Sequence, residues 1–502
     1  MTHSKRNFVL AYAFLVALPI LGLAGILKFE RHLTVPSVVA APRKALVPPA
    51  VLNASSSSRP LPVGKEKAPS PPDMFTLVLQ IAVVLAVCRL VGNLFLKIRQ
   101  PRVVGEMFAG IMLGPSLVGW IAPHFSGLIF PPSSLGFLNV VSQIGVVVFM
   151  FLVGLGINPK ELKSEGHAAI LTSHVSITAP FVLASFLAIY LYPRLSDNHV
   201  AFTSFALFMG AAMSITAFPV LARILTERQM LQSRLGTVAI ACAAVDDVTG
   251  WCILAYIVLL IRAASTGHPV WLTVGGLVAF ALVMIYGVQR LLRRFETVFQ
   301  ERGELSDNLM ALILLLALGS ALCTEWLGIH LLFGAFLMGA IMPKDSMFVR
   351  YVLQRFETIV VTLLLALYFA VTGLRTNIGL VKGREMWLYC GLIILVASVG
   401  KLGGSMLASW WTGMRLREAA GLGTLMNTRG LMELVILNIG LDIKVISPAL
   451  FSMMVLMALT TTFMTTPVLE LLCPARVIRG DVGVTAREAL EFENLELRPA
   501  GD

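Results

Sequence analysis

The chain is 502 residues long, 57% hydrophobic and only 13% charged, with a mean hydropathy of +0.83; that leaves too little polar surface for a water-soluble fold and assigns the chain to a bilayer. Its formal net charge of +11 does not indicate a nucleic-acid partner, because the basic residues fall in short loops between apolar segments, where they set topology. The six cysteines form no CxxC and stand at no metal-ligand spacing with histidine, so they read as buried apolar residues, and neither a resident metal nor a cofactor is expected.

Residues 1–32 carry an apolar run from Phe8 to Phe29 behind Lys5 and Arg6, the pattern of a signal anchor or signal peptide, with Val38 to Ala41 resembling a cleavage site. Residues 33–73, rich in Pro, Ser and Ala, cannot bury a core and are expected to form an extracytoplasmic linker. An all-α, polytopic membrane domain is expected over 74–472. Its thirteen apolar segments lie near 74–95, 103–121, 135–157, 167–191, 200–221, 235–261, 270–288, 308–324, 328–343, 357–374, 386–411, 417–440 and 448–472, each about the length that crosses a hydrocarbon core of ~30 Å. Residues 473–502 remain as a short tail.

Lys and Arg concentrate in the loops after odd-numbered spans, for example Lys97, Arg99 and Arg102, then Arg223, Arg228 and Arg234, then Arg290, Arg293, Arg294 and Arg302. By the positive-inside rule these loops are cytoplasmic. The linker is therefore expected outside and the C-terminus inside, in a cell (inner) membrane.

Two motifs recur seven spans apart. Phe151-Leu-Val-Gly-Leu-Gly-Ile-Asn158 closes span 3 and returns, loosened, as Phe369-Ala-Val-Thr-Gly-Leu-Arg-Thr-Asn377 in span 10. Phe108-Ala-Gly-Ile-Met-Leu-Gly-Pro115 of span 2 is echoed by Phe333-Gly-Ala-Phe-Leu-Met-Gly-Ala-Ile-Met-Pro343 of span 9. An odd offset makes the copies cross the membrane in opposite directions, the inverted repeat of many secondary transporters. The same offset pairs span 5 with span 12, and both contain helix-interrupting residues. Pro219 removes a backbone donor in span 5, where Ser214 and Thr216 are placed to satisfy freed groups or ligate an ion; span 12 carries Asn427, Thr428, Arg429 and Gly430 at membrane depth.

Asp246 and Asp247 lie about eleven residues into span 6, close to mid-bilayer at 1.5 Å of rise per residue. An ionised carboxylate there costs on the order of 2.5 to 3.5 kcal/mol, so the pair requires a basic partner, a proton or a bound cation. Adjacent acids in such a site titrate as a coupled pair, the property that exchange of a proton for a cation uses. Lys401, inside span 11 among Gly400, Gly403 and Gly404, is the expected partner; its alternative is to snorkel to the membrane surface. Arg429 and Glu433 stand four apart on span 12, where they either neutralise each other as an i, i+4 pair or support the site.

At these residues the chain resembles the second division of the monovalent cation/proton antiporter superfamily. It is similar there to the plant cation/H+ exchangers and to bacterial sodium/proton antiporters. The resemblance rests on Phe149-Met-Phe-Leu-Val-Gly154, Ser214-Ile-Thr-Ala-Phe-Pro-Val-Leu-Ala-Arg-Ile-Leu225, Ala243-Ala-Val-Asp-Asp-Val248, Gly334-Ala-Phe-Leu-Met-Gly-Ala-Ile-Met-Pro-Lys344 and Asn427-Thr-Arg-Gly-Leu-Met-Glu-Leu-Val435, in that order over 74–472. It implies a dimerisation domain and a core domain with spans 5 and 12 crossing as unwound helices, a homodimer in the lipid bilayer, and exchange of Na+ or K+ for H+ by alternating access. It also implies that Asp247 is the principal cation and proton carrier, while Asp246 pairs with Lys401 when no cation is bound. The plant exchangers usually carry Asn-Asp where this chain has Asp246-Asp247, which brings it closer to the bacterial group at that position. Bacterial potassium-efflux relatives add a nucleotide-binding domain; residues 473–502 hold no GxGxxG, and gating through such a domain is not expected.

The alternative from the same architecture is a sodium-coupled symporter of an organic anion, which the paired acids favour less. An intramembrane aspartyl protease would need its acids on two helices and a GxGD motif, and a cation channel would not need a titrating pair; an enzyme is not expected.

Overall fold

The computed structural model describes residues 74–156, 166–196, 200–230, 233–266, 270–302, 305–328 and 330–473. The N-terminal anchor, the linker, the tail beyond Cys473 and Asn158 of the first repeat motif lie outside the described residues.

The described residues are mostly helical, with no strand among them. In order, the helices are α1 (Met74–Lys97), α2 (Arg102–Leu113), α3 (Pro132–Gly156), α4 (Gly166–Leu195), α5 (Phe202–Ser214), α6 (Phe218–Glu227), α7 (Arg234–Thr266), α8 (Val270–Leu282), α9 (Gln289–Arg302), α10 (Asp307–Trp326), α11 (Leu331–Ile341), α12 (Ser346–Ile359), α13 (Leu365–Arg375), α14 (Gly383–Ser398), α15 (Gly404–Trp411), α16 (Leu416–Met426), α17 (Leu431–Asp442) and α18 (Pro448–Leu472). Two short helices, Val118–Ile121 and Pro123–Ile129, follow α2. Single π turns at Val283–Val288, Val360–Leu364 and Val399–Gly403 join α8 to α9, α12 to α13 and α14 to α15.

Eleven helical stretches among the described residues are long and apolar enough to cross a membrane. The other two expected segments are α11, eleven residues long, and the interrupted pair α16 and α17. The expected end of span 7 at residue 288 is corrected. The helix runs on to Arg302 because Leu292, Phe295 and Phe299 recur on one buried stripe amid the arginines, a helical period that average hydropathy conceals. The cysteine reading is corrected in part: Cys252 and Cys323 are exposed, on outward faces where an apolar thiol meets lipid rather than core. Trp120, Trp326, Trp387, Trp410 and Trp411 are exposed near helix ends, as expected of aromatic belts at the two interfaces.

The packing repeats with the seven-span offset. Helix α1 lies on α2 as α10 lies on α11; α2 lies on α13 as α11 lies on α3; α4 lies on α5 as α15 lies on α16. Glycine is required at the second of these contacts, in both copies. A Cβ on Gly373 would stand 1.9 Å from the carbonyl carbon of Gly110, and one on Gly339 would stand 2.0 Å from the carbonyl oxygen of Phe151. Backbone meets backbone there, and a side chain would separate the helices.

These contacts divide the helices into a scaffold bundle (α1–α3 and α10–α13) and a core bundle (α4–α7 and α14–α18), with α8 and its continuation α9 as the link. The bundles meet where α18 crosses α2 and where α17 meets α13. At the second meeting the Arg375 guanidinium donates to Asn438 Oδ1 at 3.1 Å and Asp442 Oδ1 at 2.8 Å. The Asn438 amide in turn donates to Tyr368 and Thr372, each at 3.0 Å.

Candidate functional site

Both predicted interruptions are present and cross each other. Helix α5 stops at Ser214, Ile215 to Ala217 run extended, and α6 restarts at Phe218 with Pro219 in its first turn. Pro219 thus opens a half-helix instead of kinking a continuous one, at a position where its missing N–H would have no partner anyway. In the second interruption α16 ends at Met426 and α17 begins after Gly430. The Ala217 N–H donates to the Thr428 carbonyl at 3.1 Å, and the Thr216 hydroxyl lies 2.9 Å from the Met426 carbonyl. Gly430 permits the approach: a Cβ there would stand 2.5 Å from Val220 Cγ2.

An interrupted helix exposes the carbonyls at one cut end and the N–H groups at the other, with the dipole adding negative character to the first and positive to the second. In an apolar medium those groups must find partners. Arg429 donates to the carbonyls of Ala212 at 3.0 Å and Ile215 at 3.4 Å, and also to that of Met213. Lys401 Nζ donates to the Ser214 carbonyl at 2.5 Å. Two buried cations therefore close the cut end of α5. The i, i+4 contact from Arg429 to Glu433 exists at 3.4 Å, but the carbonyls are the guanidinium's main partners. The Arg429 backbone is itself bracketed by Thr462, whose hydroxyl receives from the Arg429 N–H at 2.9 Å and donates to its carbonyl at 2.8 Å.

Asp246 and Asp247 both lie on α7 and are almost fully buried, but their surroundings differ completely. Asp246 Oδ2 is 2.7 Å from Lys401 Nζ, in an ion pair with both side chains sealed from solvent. Ser173 donates to Oδ1 at 2.5 Å, Thr216 to Oδ2 at 2.8 Å, and Ser176 lies 3.3 Å from Oδ2. Burying two ions costs several kcal/mol each, and a full complement of hydrogen bonds is what offsets it. Lys401 sits in the π turn Val399–Gly403; flanking Gly400 and Gly404 admit α4, since a Cβ on either would stand 2.8 Å from Pro180 or Ala179. Asp247 is 1% exposed, yet neither of its oxygens has a hydrogen-bond partner. The Phe218 N–H, at the positive end of α6, faces it without completing hydrogen-bond geometry. Asn427 is also buried, and its Oδ1 is likewise without a partner.

Two sequence-predicted side chains turn away. The Ser214 hydroxyl donates back to the Ala211 carbonyl at 3.1 Å and the Thr428 hydroxyl to the Leu425 carbonyl at 2.6 Å. Both residues serve the site through their backbone carbonyls. Sequence reasoning missed Ser173, Ser176 and Thr462. A Ser-x-x-Ser spacing inside an apolar span, and the threonine row of α18, were the available signals, since polar side chains in such helices hydrogen-bond across to neighbours.

The family model for the sodium/hydrogen exchanger, transmembrane, matches residues 66–472. A Na(+)/H(+) antiporter of Synechocystis, NhaS4, is 41% identical over 403 residues, 80% of this chain and 98% of that one. Cation/H(+) antiporter 17 of Arabidopsis thaliana is 40% identical over 392 residues, and K(+)/H(+) antiporter 1 of Saccharomyces cerevisiae is 35% identical over 404. Those matches cover 78% and 79% of this chain but 47% and 46% of theirs, so the chain spans about half the length of these relatives. The sodium proton antiporter MjNhaP1 of Methanocaldococcus jannaschii superposes with a TM-score of 0.61, over 81% of this chain and all of that one, at 14% identity, a likeness of fold. By the match over residues 66–472 and the identity to the Synechocystis relative, the chain belongs to the sodium/hydrogen exchanger family.

Proposed function

We propose that the chain is a secondary active antiporter that exchanges a monovalent cation, Na+ or K+, for H+ across the membrane by alternating access. The observation that carries this reading is Asp247: a buried carboxylate with two unpartnered oxygens, facing the positive end of a half-helix. Such a group is satisfied only by a proton or a cation, so the two compete for one position. The relatives' names, which pair Na+ or K+ with H+, support the same exchange.

In this reading Asp247 is the carrier, and the Asn427 amide oxygen is a neutral ligand offered to the same cation. Asp246, ion-paired to Lys401, supplies a fixed charge beside it. Ser214, Thr216, Pro219 and Thr428 shape the crossing, and Arg429 with Glu433 supports it. The scaffold bundle forms a homodimer while the core bundle moves. The chain sits in the cell (inner) membrane with the linker before residue 74 outside and the C-terminus in the cytoplasm. The organic-anion symporter finds no support among the relatives.

The test is purified protein in proteoliposomes with an imposed pH gradient. Addition of Na+, K+ or Li+ dissipates the gradient, and Asp247→Asn abolishes the effect. Antiport that survives Asp247→Asn overturns the assignment of the carrier. Repeating the assay with the membrane potential clamped gives the charge moved per cycle.

A further inference from the structure

The hydroxyls of membrane helices ordinarily return to a carbonyl three or four residues back, and several do so here. Ser405 donates to the Lys401 carbonyl at 2.7 Å, Thr424 to Ala420 at 2.8 Å and Thr461 to Met457 at 2.9 Å. Ser173 and Ser176 instead reach across from α4 to α7. Three residues apart and therefore on one face, they place their oxygens 2.5 and 3.3 Å from the two oxygens of Asp246, and both side chains are fully buried. With Thr216 and Lys401 they bring four donors to a carboxylate that accepts about four. Nothing of the kind surrounds Asp247.

We propose that Ser173 and Ser176 are positioning residues of the exchange site: with Thr216 they hold the Asp246 carboxylate, and through it Lys401, in one place beside Asp247. The inference rests on the antiport reading above and deepens it. The charged groups that interact with Asp246 are Asp247 on its own helix and Lys401 from the π turn, and Lys401 in turn feels Arg429 and Glu433 from the second interrupted helix. Cys242, one turn earlier on α7, directs its thiol to the Ala169 carbonyl. Lys401 is the one cation in direct contact with Asp246 among the described residues. Without the serines the carboxylate would rest on Lys401 and Thr216 alone, both at Oδ2, and would be free to turn. Charge-assisted hydrogen bonds of this sort are each worth at least about a tenfold change in an equilibrium.

The experiment measures the cation KM and the maximal exchange rate of the parent and of the Ser173→Ala/Ser176→Ala double variant in proteoliposomes. The expected result is a KM raised at least about tenfold with a maximal rate, per folded protein, close to the parent's, and Ser173→Thr following the parent. An unchanged KM, or a maximal rate that falls while KM stays, overturns the proposal. The second outcome is what a merely structural loss produces. Where the double variant does not fold, the two single variants are measured, and each is expected to show part of the rise in KM. A parent that exchanges no cation for protons brings down the antiport reading, and this inference with it; an active parent matched by its double variant brings down this inference alone.

Discussion

The scaffold and core bundles are built from the same repeat, yet they hold their helices together by opposite means. In the scaffold, α2 meets α13 and α3 meets α11 through bare backbone at glycines, with the Lys344 ammonium added only at the end of the second contact. In the core, the helices are interrupted, and the cut ends are closed by Arg429, Lys401 and the crossing backbone at Ala217 and Thr428. Close backbone packing is rigid and has one arrangement. Groups held by hydrogen bonds and ion pairs in an apolar medium are costly to leave unmatched, so a proton or cation arriving at one of them can change which arrangement is favoured.

The strongest way to break this comparison is to unbalance a core charge. Lys401→Ala leaves the buried Asp246 carboxylate without its cation and should cost about 3–5 kcal/mol, read as a fall in the thermal midpoint of the detergent-solubilised protein. The double variant Asp246→Asn/Lys401→Met should recover most of that loss, and strictly additive losses would show that the two residues are not coupled in the folded state. In the scaffold, Gly373→Leu forces a side chain into the Gly110 backbone and should cost about 3 kcal/mol, with loss of monodisperse protein on size exclusion. If the Gly373→Leu variant is as stable as the parent, α2 and α13 are not packed this closely. A smaller effect is expected from Thr462→Val, which removes the acceptor and the donor that bracket the Arg429 backbone and should cost about 1–3 kcal/mol.

The last expected effect, gradual in pH, lies outside the membrane segments. Lys344, in the turn between α11 and α12, donates to the carbonyls of Gly154, Leu155 and Gly339, each at 3.0 Å. It thereby caps α3 and ties it to α11. Burial pushes its ammonium down from 10.5 to about 7, although the three carbonyls oppose that shift. In the unfolded chain Lys344 keeps its proton up to pH 10.5, whereas in the fold it begins to lose it near pH 7. Between those values the unfolded state binds more protons, so this group makes stability rise with pH, by no more than about 1.4 kcal/mol per unit. The thermal midpoint of the parent should therefore gain on that of Lys344→Met across this window. A constant difference would show that the carbonyls hold the ammonium charged throughout.

Much of the architecture was legible because a bilayer makes hydropathy nearly a structural rule. Apolar runs of span length, the seven-span offset of two glycine motifs and the interruptions at Pro219 and Asn427 all follow from the backbone's need for partners in hydrocarbon. The acid pair announced itself for the same reason, and Lys401 was the one lysine deep enough to meet it. The run of α8 into α9 was missed, because its buried stripe of Leu292, Phe295 and Phe299 is hidden among arginines when hydropathy is averaged.

What the residues alone determined is therefore the class of molecule and the groups that a bilayer cannot leave uncompensated: the membrane helices, the inverted repeat, Asp246, Asp247, Lys401 and the two interruptions. Only the tertiary structure decided how those groups are matched. Ser173 and Ser176 reach Asp246 from a helix some seventy residues away in the chain, Thr462 brackets Arg429 from thirty-three residues away, and Ser214 and Thr428 serve by their carbonyls instead of their hydroxyls. Such choices depend on which face each helix turns to its neighbour. That is set by packing across the whole bundle, which no local pattern of residues records, and it is what gives Asp246 four donors while leaving Asp247 with none.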